Sequence, residues 1–264
     1  MFKKYVSICL QKLGLFEPAH KIYNAVGRFH RKTEIVIDNR IIKFWTPTYY
    51  LDHYIKNSAW EEQFFNEILS RLDKFNILWD VGANLGFYSV IAAKVMHAHS
   101  KIFSFEPEPK GFKLLRRNIE LNKVKNVTAL PIALGDTNGI RILYPSDTDN
   151  FGTNSFLQRT DDKVKQKGKS VNVNTADWLI DELKIDVPEA IKIDVEGAEI
   201  LVLKGMKRLL TNPKLKTIFC EVHANLLPLF GSSEEELLEI FKKENFRIDY
   251  LLSRGNQNQF IFSR

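Results

Sequence analysis

Two pairs of side chains that can accept a proton occur near the ends of predicted strands. Asp194 and Glu196 form the first pair, and Glu221 and His223 form the second. Because alternate residues of an extended chain point to the same side, each pair is expected to face one rim of a sheet. A carboxylate or an imidazole in that position can remove the proton of a hydroxyl group, and the ordinary pKa of histidine suits a general base.

The sequence leaves the roles of these groups open. His223, Asp194 or Glu196 is the predicted proton acceptor; alternatively, either carboxylate could orient His223 or bind an amino group. Together with Glu221 they offer the ligand types of a divalent cation. Acids that converge on an ammonium and on hydroxyls need no metal, however, and no metal ion is expected. Glu199 is expected to be a favourable charge at a helix N-terminus.

A glycine-containing loop follows the strand that begins at residue 77. Asp80, Gly82 and Gly86 lie in the run Asp-Val-Gly-Ala-Asn-Leu-Gly, and glycines let a backbone come close to a ligand. The run has neither the three glycines of a dinucleotide fingerprint nor the Gly-Lys-Ser/Thr of a P-loop. An acid before the glycines, with no cation in the loop, suits a positively charged ligand without phosphates. S-adenosylmethionine, which carries an ammonium and a sulfonium, meets this requirement.

A second acid is spaced to bind the ribose of such a ligand. Glu106 ends the next predicted strand, 20 residues after Gly86, and a carboxylate there can accept both ribose hydroxyls. The alternative is a solvated acid before a proline. Ala133 and Leu134 follow at the end of the third predicted strand, where they would lie beside Glu106 and could border an adenine ring.

Strands alternate with helices over most of the chain, which predicts a parallel sheet covered on both faces. The predicted strands are 77–81, 101–105, 127–133, 190–195 and 217–222. The predicted helices are 88–95, 111–121, 175–183, 199–210 and 233–244. A closing hairpin of residues 246–252 and 259–262 predicts one antiparallel strand.

Other elements precede and interrupt this alternation. Upstream, the pattern predicts a basic amphipathic helix over 2–16, a short helix after Pro18, a hairpin of 34–37 and 40–45 around Asp38-Asn39, and a helix over 59–72. The polar stretch 136–174 has strand candidates only at 140–144 and 171–173. Such an insertion in a parallel sheet can lie over the carboxyl ends of the strands, where ligands bind.

Composition excludes several classes of protein. The 264 residues are 44% hydrophobic and 27% charged, which is ordinary for a globular chain and rules out disorder, collagen and coiled coil. The net charge of +6 lies entirely in residues 1–43, which hold nine basic and three acidic residues. Residues 44–264 hold 29 of each sign, so this region has no excess charge with which to bind a nucleic acid backbone. Two cysteines suggest neither a disulfide framework nor a zinc site.

Four motifs together resemble the FkbM family of S-adenosylmethionine-dependent methyltransferases. They are Asp-Val-Gly-Ala-Asn-Leu-Gly-Phe-Tyr-Ser at 80–89, Phe-Glu-Pro-Glu-Pro at 105–109, Ile-Lys-Ile-Asp-Val-Glu-Gly-Ala-Glu at 191–199 and Glu-Val-His at 221–223. The resemblance implies a Rossmann-like α/β class I methyltransferase fold, with a seven-stranded, mostly parallel sheet and a terminal antiparallel strand. It also implies the cofactor residues, which are Asp80, Gly82, Asn84, Gly86 and Glu106. Residues 1–43 have no counterpart in these motifs.

The leading interpretation is an O-methyltransferase that acts on a hydroxyl of a sugar, glycolipid or secondary metabolite, because the resemblance implies such acceptors. One alternative is a nucleic-acid methyltransferase, for which the basic arm argues. Base-modifying enzymes commonly carry an Asn- or Asp-Pro-Pro-aromatic element after the fourth strand, whereas this chain has Asp-Val-Glu-Gly there. The other alternative is a binding module that keeps the fold without catalysis.

The sequence divides into a basic arm with a hairpin, residues 1–45, and a methyltransferase domain, residues 46–264. The chain has no run of about 20 apolar residues that could span a bilayer, and a cytoplasmic location is expected. Residues 1–32 are expected either to pack on the catalytic domain or to contact an anionic membrane surface. The predicted partner is a hydroxylated small molecule or glycan, and no nucleic acid is expected.

Overall fold

The structure is a computed structural model that describes residues 31–46, 59–144, 154–156 and 167–264. It begins with a hairpin of β1 (Arg31–Ile37) and β2 (Arg40–Thr46). The turn residues Asp38 and Asn39 have positive φ angles of 48° and 60°, as a type I′ hairpin turn requires. The predicted hairpin is therefore confirmed, whereas the helix predicted over 2–16 lies outside the described residues.

The remaining strands and helices alternate as predicted. The strands are β3 (Ile77–Val81), β4 (Lys101–Phe105), β5 (Val127–Leu130), β6 (Ile132–Leu134), β7 (Gly139–Leu143), β8 (Lys169–Asn174), β9 (Ala190–Ile193), β10 (Thr217–His223), β11 (Arg247–Arg254) and β12 (Gln257–Ser263). The helices are α1 (Ala59–Leu72), α2 (Phe87–Val95), α3 (Pro109–Leu121), α4 (Ala176–Glu182), α5 (Glu199–Lys204), α6 (Lys207–Thr211) and α7 (Glu234–Lys243), with a 3₁₀ helix at Leu227–Phe230. None of these helices has the length and apolar character needed to cross a bilayer.

Seven strands form the central sheet in the order β5-β4-β3-β9-β10-β12-β11. β12 runs antiparallel to both of its neighbours, β10 and β11, and the other six strands are parallel to one another. This confirms the predicted mostly parallel, Rossmann-like sheet with an antiparallel final strand. The chain moves outward from β3 to β5 and then returns to β9 on the other side of β3. Ligands of such sheets bind at this switch point, outside the carboxyl ends of the strands.

Two predicted elements are divided in the structure. The strand predicted over 127–133 is two strands, because Pro131 lacks the N–H that a continuous ladder needs; β6 then pairs with β8 instead of extending β5. The helix predicted over 199–210 is interrupted after α5. There, a Cβ added to Gly205 would lie 1.8 Å from the backbone oxygen of Gly135, so the chain needs a residue without a side chain at this contact.

The polar insertion forms part of a second, three-stranded sheet in the order β6-β8-β7. Both of its predicted strands are present, as β7 and β8. Lys169, the first residue of β8, forms an ion pair with Glu108, whose side chain caps the N-terminus of α3. The small sheet therefore contacts the chain directly after the carboxyl end of β4, at the ligand side of the central sheet.

The hairpin is fastened to the helices on one face of the central sheet. Ile42 and Phe44 of β2 are fully buried in a cluster that includes Leu85 and residues of α2 and α3. The backbone N–H of Trp45 donates to the Asn118 side chain, whose amide in turn donates to the carbonyl of Leu85. Asn118 thus joins the hairpin to the glycine-containing loop after β3.

Candidate active site

The loop between β3 and α2 is shaped by close contacts with its neighbours. Gly82 and Gly86 have φ angles of +80° and +86°, and Asn84 has a φ angle of 51°. A Cβ at Gly82 would lie 1.9 Å from the backbone oxygen of Asp194, so the loop and the end of β9 are in contact. Left-handed backbone of this kind favours glycine and tolerates asparagine. The glycines that the sequence assigned to a ligand loop are therefore also required by the fold.

Glu106 lies directly after β4 and is 6% exposed. One carboxylate oxygen accepts a hydrogen bond from the backbone N–H of Asn84 at 2.7 Å, and the other accepts one from the N–H of Glu108 at 2.8 Å. Burial raises the pKa of Glu106 to about 7, against the opposing effect of the two backbone hydrogen bonds. The alternative of a solvated acid is excluded, because the carboxylate is buried and held by backbone.

Asp80, in β3, is fully buried beneath the same loop. Its Oδ2 accepts from the Ser89 hydroxyl, which in turn accepts from the Ser104 hydroxyl. Its Oδ1 has no hydrogen bond among the residues that the structure describes, although Lys192 Nζ lies 3.8 Å away. Burial raises the pKa of Asp80, and the nearby Lys192 opposes this shift.

Lys192 joins this region to the predicted acid–base residues. Its ammonium group lies 3.0 Å from an oxygen of Asp194 and 4.9 Å from the centre of the Tyr88 ring. Burial would lower the pKa of Lys192, but Asp194 and Asp80 outweigh that effect and raise it. Burial would likewise raise the pKa of Asp194, but Lys192 lowers it. Lys192 is thus a buried cation between two carboxylates.

His223, the last residue of β10, is 2% exposed. Its Nδ1 lies 2.8 Å from Oε1 of Glu199, and its Nε2 lies 3.6 Å from Glu196 and 3.9 Å from Glu221. Burial would lower the pKa of His223, but the hydrogen bond to Glu199 and the surrounding carboxylates raise it to about 10. The site therefore strongly favours a positive charge at this imidazole.

Glu196 reaches His223 because the chain turns sharply after β9. Its φ angle is 54°, in the left-handed region that residues with a Cβ seldom adopt. Gly197 follows with a φ angle of 98°, and a Cβ there would lie 2.6 Å from Leu226. Strained backbone of this kind is common where a side chain must be held for function.

The structure brings the predicted residues into two adjacent groups. The cofactor cluster consists of Asp80, Gly82, Asn84, Gly86 and Glu106. The rim cluster consists of Asp194, Glu196, Glu199, Glu221 and His223. Lys192 lies between the two groups. Ala133 and Leu134 are buried in β6, and their place at the adenine ring remains a prediction.

One member of the rim cluster was not predicted to act there. Glu199 begins α5, as the sequence indicated, but it is fully buried, and its Oε1 also accepts from the Gly197 N–H at 3.0 Å. A simple charge at a helix N-terminus would remain in solvent. The apolar residues on both sides, Ala198 and Ile200, are the sequence signal that Glu199 is buried. Its contact with His223 depends on the pairing of β9 with β10 and could not be deduced from spacing.

The family of the chain follows from a match to the methyltransferase FkbM domain over residues 80–248. This match extends from the first residue of the cofactor cluster to β11, and covers more than half of the chain. The protein belongs to the FkbM methyltransferase family. S-adenosylmethionine is the cofactor that membership of this family implies.

Several relatives of this FkbM protein are named as methyltransferases. The hexuronic acid methyltransferase AglP of Haloferax volcanii is 28% identical over 204 residues, which are 76% of this chain and 79% of AglP. Methyltransferase 1 of Beauveria bassiana is 30% identical over 142 residues, 48% of this chain and 57% of that protein. A crystal structure of a methyltransferase FkbM from Methylobacillus flagellatus has a TM-score of 0.45 and 17% identity, covering 72% of this chain and 43% of that one. The chain thus spans less than two thirds of some of these relatives.

The cofactor cluster has the groups that S-adenosylmethionine needs. Each carboxylate oxygen of Glu106 accepts one backbone N–H and keeps a lone pair for a further donor, such as a ribose hydroxyl. Oδ1 of Asp80 is a buried acceptor without a hydrogen bond within the described ranges. Buried polar atoms in this condition usually have a partner that is absent from the structure. The chemistry of these atoms therefore fits a ligand that carries hydroxyl groups and positive charge.

Proposed function

We propose that this protein is an S-adenosylmethionine-dependent O-methyltransferase that acts on a hydroxyl of a sugar, glycolipid or related metabolite. The observation that carries this proposal is that Lys192 pairs with both Asp80 and Asp194, which sets a carboxylate of the rim cluster directly beside the cofactor cluster. The relative AglP, whose name states that it methylates a hexuronic acid, supports a saccharide as the acceptor.

Binding of the cofactor is assigned to the cofactor cluster. Glu106 would accept hydrogen bonds from the two ribose hydroxyls, while Gly82, Asn84 and Gly86 form the loop that faces them. Asp80 would favour the positive charge of the ligand across the end of β3. The cofactor supplies a methyl group on a sulfonium, which is already a good leaving group. The protein must therefore align the acceptor and remove its proton.

The candidate residues for proton removal differ in how far their side chains are exposed to solvent. The side chains of Asp194 and Glu196 are 30% and 17% exposed, whereas that of His223 is 2% exposed and its Nδ1 is bound to Glu199. An acceptor hydroxyl can therefore reach the two carboxylates from solvent more readily than it can reach the buried imidazole. We therefore assign the general base to Asp194 or Glu196, and we assign to His223 the task of holding Glu196 in place.

No specific observation favours either alternative function. The positive charge that argued for nucleic acid lies mostly in residues 1–30, which are outside the described ranges. A non-catalytic module would not need an acidic rim beside the cofactor cluster. The cytoplasmic location and a membrane contact through residues 1–32 stay predictions.

The function can be tested by transfer of a labelled methyl group from S-adenosylmethionine. The acceptor panel should contain a hexuronic acid, a neutral hexose and an RNA, with product identification by mass spectrometry. We expect label in the saccharides and none in the RNA. Treatment with mild alkali distinguishes the products, because it removes a methyl ester from a carboxylate but leaves a methyl ether on a hydroxyl. Label that is lost in alkali, or that enters only RNA, would contradict methylation of a saccharide hydroxyl.

Two variants complete this experiment. Asp194→Asn removes a proposed base from the rim cluster and is expected to lower the transfer rate. Glu120→Gln changes an acid of α3 whose side chain is 72% exposed, and it is the matched control that should transfer methyl groups at the normal rate.

A further inference from the structure

We propose that Asp194, Glu196 and His223 form a binding site for a divalent transition metal ion such as Mn²⁺. One nitrogen of His223 and one oxygen of each carboxylate lie within 4.8 Å of one another. Ligand atoms about 2.2 Å from a shared ion are at most about 4.4 Å apart. Side-chain movements of a few tenths of an ångström would therefore bring all three atoms onto one ion.

The imidazole of His223 provides an independent indication of a ligand. Its Nε2 is buried and has no hydrogen bond within the described part of the chain, and the oxygen atoms of Glu196 and Glu221 lie 3.6 and 3.9 Å from it. Burial of a nitrogen without a hydrogen-bond partner is unfavourable. Nε2 points at the carboxylates, so an ion bound among them would contact it.

The second ring nitrogen of His223, Nδ1, has the kind of partner that metal-binding histidines usually have. Such histidines donate their second N–H to a carboxylate or carbonyl, which fixes the ring and leaves one nitrogen for the metal. Here Nδ1 lies 2.8 Å from Oε1 of Glu199, and the N–H of Gly197 holds the same oxygen at 3.0 Å. When Nδ1 donates its hydrogen to Glu199, Nε2 faces the rim cluster, and an ion bound there would replace the hydrogen that Nε2 carries in the protonated ring.

The charge around the site also favours a cation. The carboxylates at this end of the sheet belong to Asp80, Asp194, Glu196, Glu199 and Glu221. Among the described lysines and arginines, Lys192 is the one that forms ion pairs with members of this group. Two carboxylates and one imidazole are suitable ligands for Mn²⁺, Fe²⁺ or Zn²⁺. A divalent ion would offset part of the negative charge of these carboxylates and would give Nε2 a partner.

A metal ion at this position would activate the acceptor hydroxyl in the proposed methyl transfer. A bound metal would lower the pKa of a coordinated hydroxyl and orient it, and a carboxylate oxygen of Asp194 or Glu196 that does not contact the ion would take up the proton. This use rests on the proposed function, whereas binding of the ion does not.

Titration of the full chain with Mn²⁺ tests the site without any measurement of catalysis. The protein is first treated with a chelator, and binding is followed by calorimetry and by the electron paramagnetic resonance signal of free Mn²⁺. We expect one ion per chain. Asp194→Asn and His223→Gln should each weaken binding at least tenfold, and Glu120→Gln should leave it unchanged. Equal binding by all four proteins, or no saturable binding by the unaltered one, would overturn the site.

A second measurement avoids dependence on the stability of variants. Electron spin echo modulation of Mn²⁺ in the unaltered protein should contain the ¹⁴N frequencies of a coordinated imidazole, and their absence would overturn His223 as a ligand. Glu199→Gln should weaken Mn²⁺ binding about tenfold, because changes to the partner of a metal-binding histidine typically cost ten- to a hundredfold. The same variant should bind S-adenosylmethionine normally, which a general loss of folding would not permit.

The outcomes also separate this site from the proposed function. Methyl transfer by a protein that binds no Mn²⁺ would overturn the metal site and leave the function in place. Binding of Mn²⁺ at these residues, in a protein that transfers no methyl group to any hydroxyl, would support the site and contradict the function.

Discussion

The cofactor cluster and the rim cluster hold buried carboxylates in different ways. Glu106 is held by two backbone N–H groups, whereas Asp194 is held by Lys192 and Glu199 is bonded to His223. Backbone donors have fixed positions and therefore keep a carboxylate in one place. Side-chain charges can exchange partners when a proton, an acceptor or an ion arrives. This difference agrees with the roles that we propose, binding for the cofactor cluster and proton removal for the rim cluster.

The two clusters also differ in what sets the pKa of their carboxylates. Burial dominates at Glu106 and raises its pKa to about 7. At Asp194, burial acts in the same direction, but Lys192 and His223 together outweigh it and lower the pKa. Ionisation of Glu106 is thus sensitive to pH near neutrality, whereas Asp194 is a carboxylate throughout that range. Changes to the two clusters should consequently be separable into effects on binding and effects on rate.

The largest expected effect is on the rate, from a change in the rim cluster. Asp194→Asn should lower kcat by about 10²- to 10⁴-fold, the range that general acid–base groups contribute. Because the cofactor cluster is unchanged, the dissociation constant of S-adenosylmethionine should stay within about threefold. Single-turnover kinetics and calorimetry measure the two quantities. A cofactor affinity that falls as far as the rate would remove the distinction between the clusters.

The next effect is on binding, from a change in the cofactor cluster. Glu106→Ala removes the carboxylate that we propose to accept both ribose hydroxyls, and charged hydrogen bonds are worth about 1.5–3 kcal/mol each. The dissociation constant of S-adenosylmethionine should therefore rise about a hundredfold or more in calorimetry. Glu120→Ala, on the exposed side of α3, is the control. Normal cofactor binding by Glu106→Ala would mean that the ribose lies elsewhere.

A smaller effect should follow from pH. The ionised form of Glu106 is the better hydrogen-bond acceptor, and its pKa is about 7, so affinity for S-adenosylmethionine should increase about tenfold between pH 6 and pH 8. Glu106→Gln should flatten this dependence. An affinity that decreases over the same range would contradict the assignment.

In the protein without cofactor, the same pKa shift acts on stability in the opposite direction. The folded state retains the proton of Glu106 to a higher pH than the unfolded state, whose pKa is near 4.5. The contribution of this group to the free energy of unfolding therefore decreases as pH rises from about 4.5 to 7. Urea denaturation of Glu106→Gln and of the unaltered protein across this range measures the contribution.

The smallest expected effect is that of a change at Asn118, which joins the hairpin to the loop of the cofactor cluster. Asn118→Ala removes the hydrogen bonds to Trp45 and Leu85, which should lower the free energy of unfolding by about 2 kcal/mol. Cofactor affinity should fall only a few fold, since the glycine-containing loop keeps its contact with β9. Denaturation with urea and calorimetry check both values. Loss of affinity as large as that of Glu106→Ala would show that the hairpin shapes the site directly.

The order and type of most described elements could be predicted, because local patterns govern them. Asp38-Asn39 predicts a tight hairpin turn, and the alternation of strands and helices predicts the parallel sheet. The predictions failed where one residue interrupts a pattern. Pro131 ends β5 and frees β6 to join another sheet, and Gly205 ends α5 where the helix meets the loop after β6. Both residues are visible in the sequence, but the neighbour that makes them necessary is not.

The residues of the candidate site could likewise be predicted only in part. Asp80, Glu106, Asp194, Glu196 and His223 could be identified because each stands at the carboxyl end of a strand or directly after it, and those ends meet at one edge of a parallel sheet. The burial of Glu199 against His223 could not be identified, since the two residues are 24 positions apart in the chain and meet only because β9 and β10 pair in space.

The sequence by itself determined the family, the class of cofactor and the side of the sheet on which chemistry occurs, because motif residues and strand ends are local properties. Only the tertiary structure decided how each charge is held: Glu106 by backbone, Asp194 by Lys192, and His223 by Glu199 with its Nε2 facing two carboxylates. The physical reason is that burial and pairing set the pKa of a group and the bonds still open to it, and both depend on neighbours that are distant in the chain.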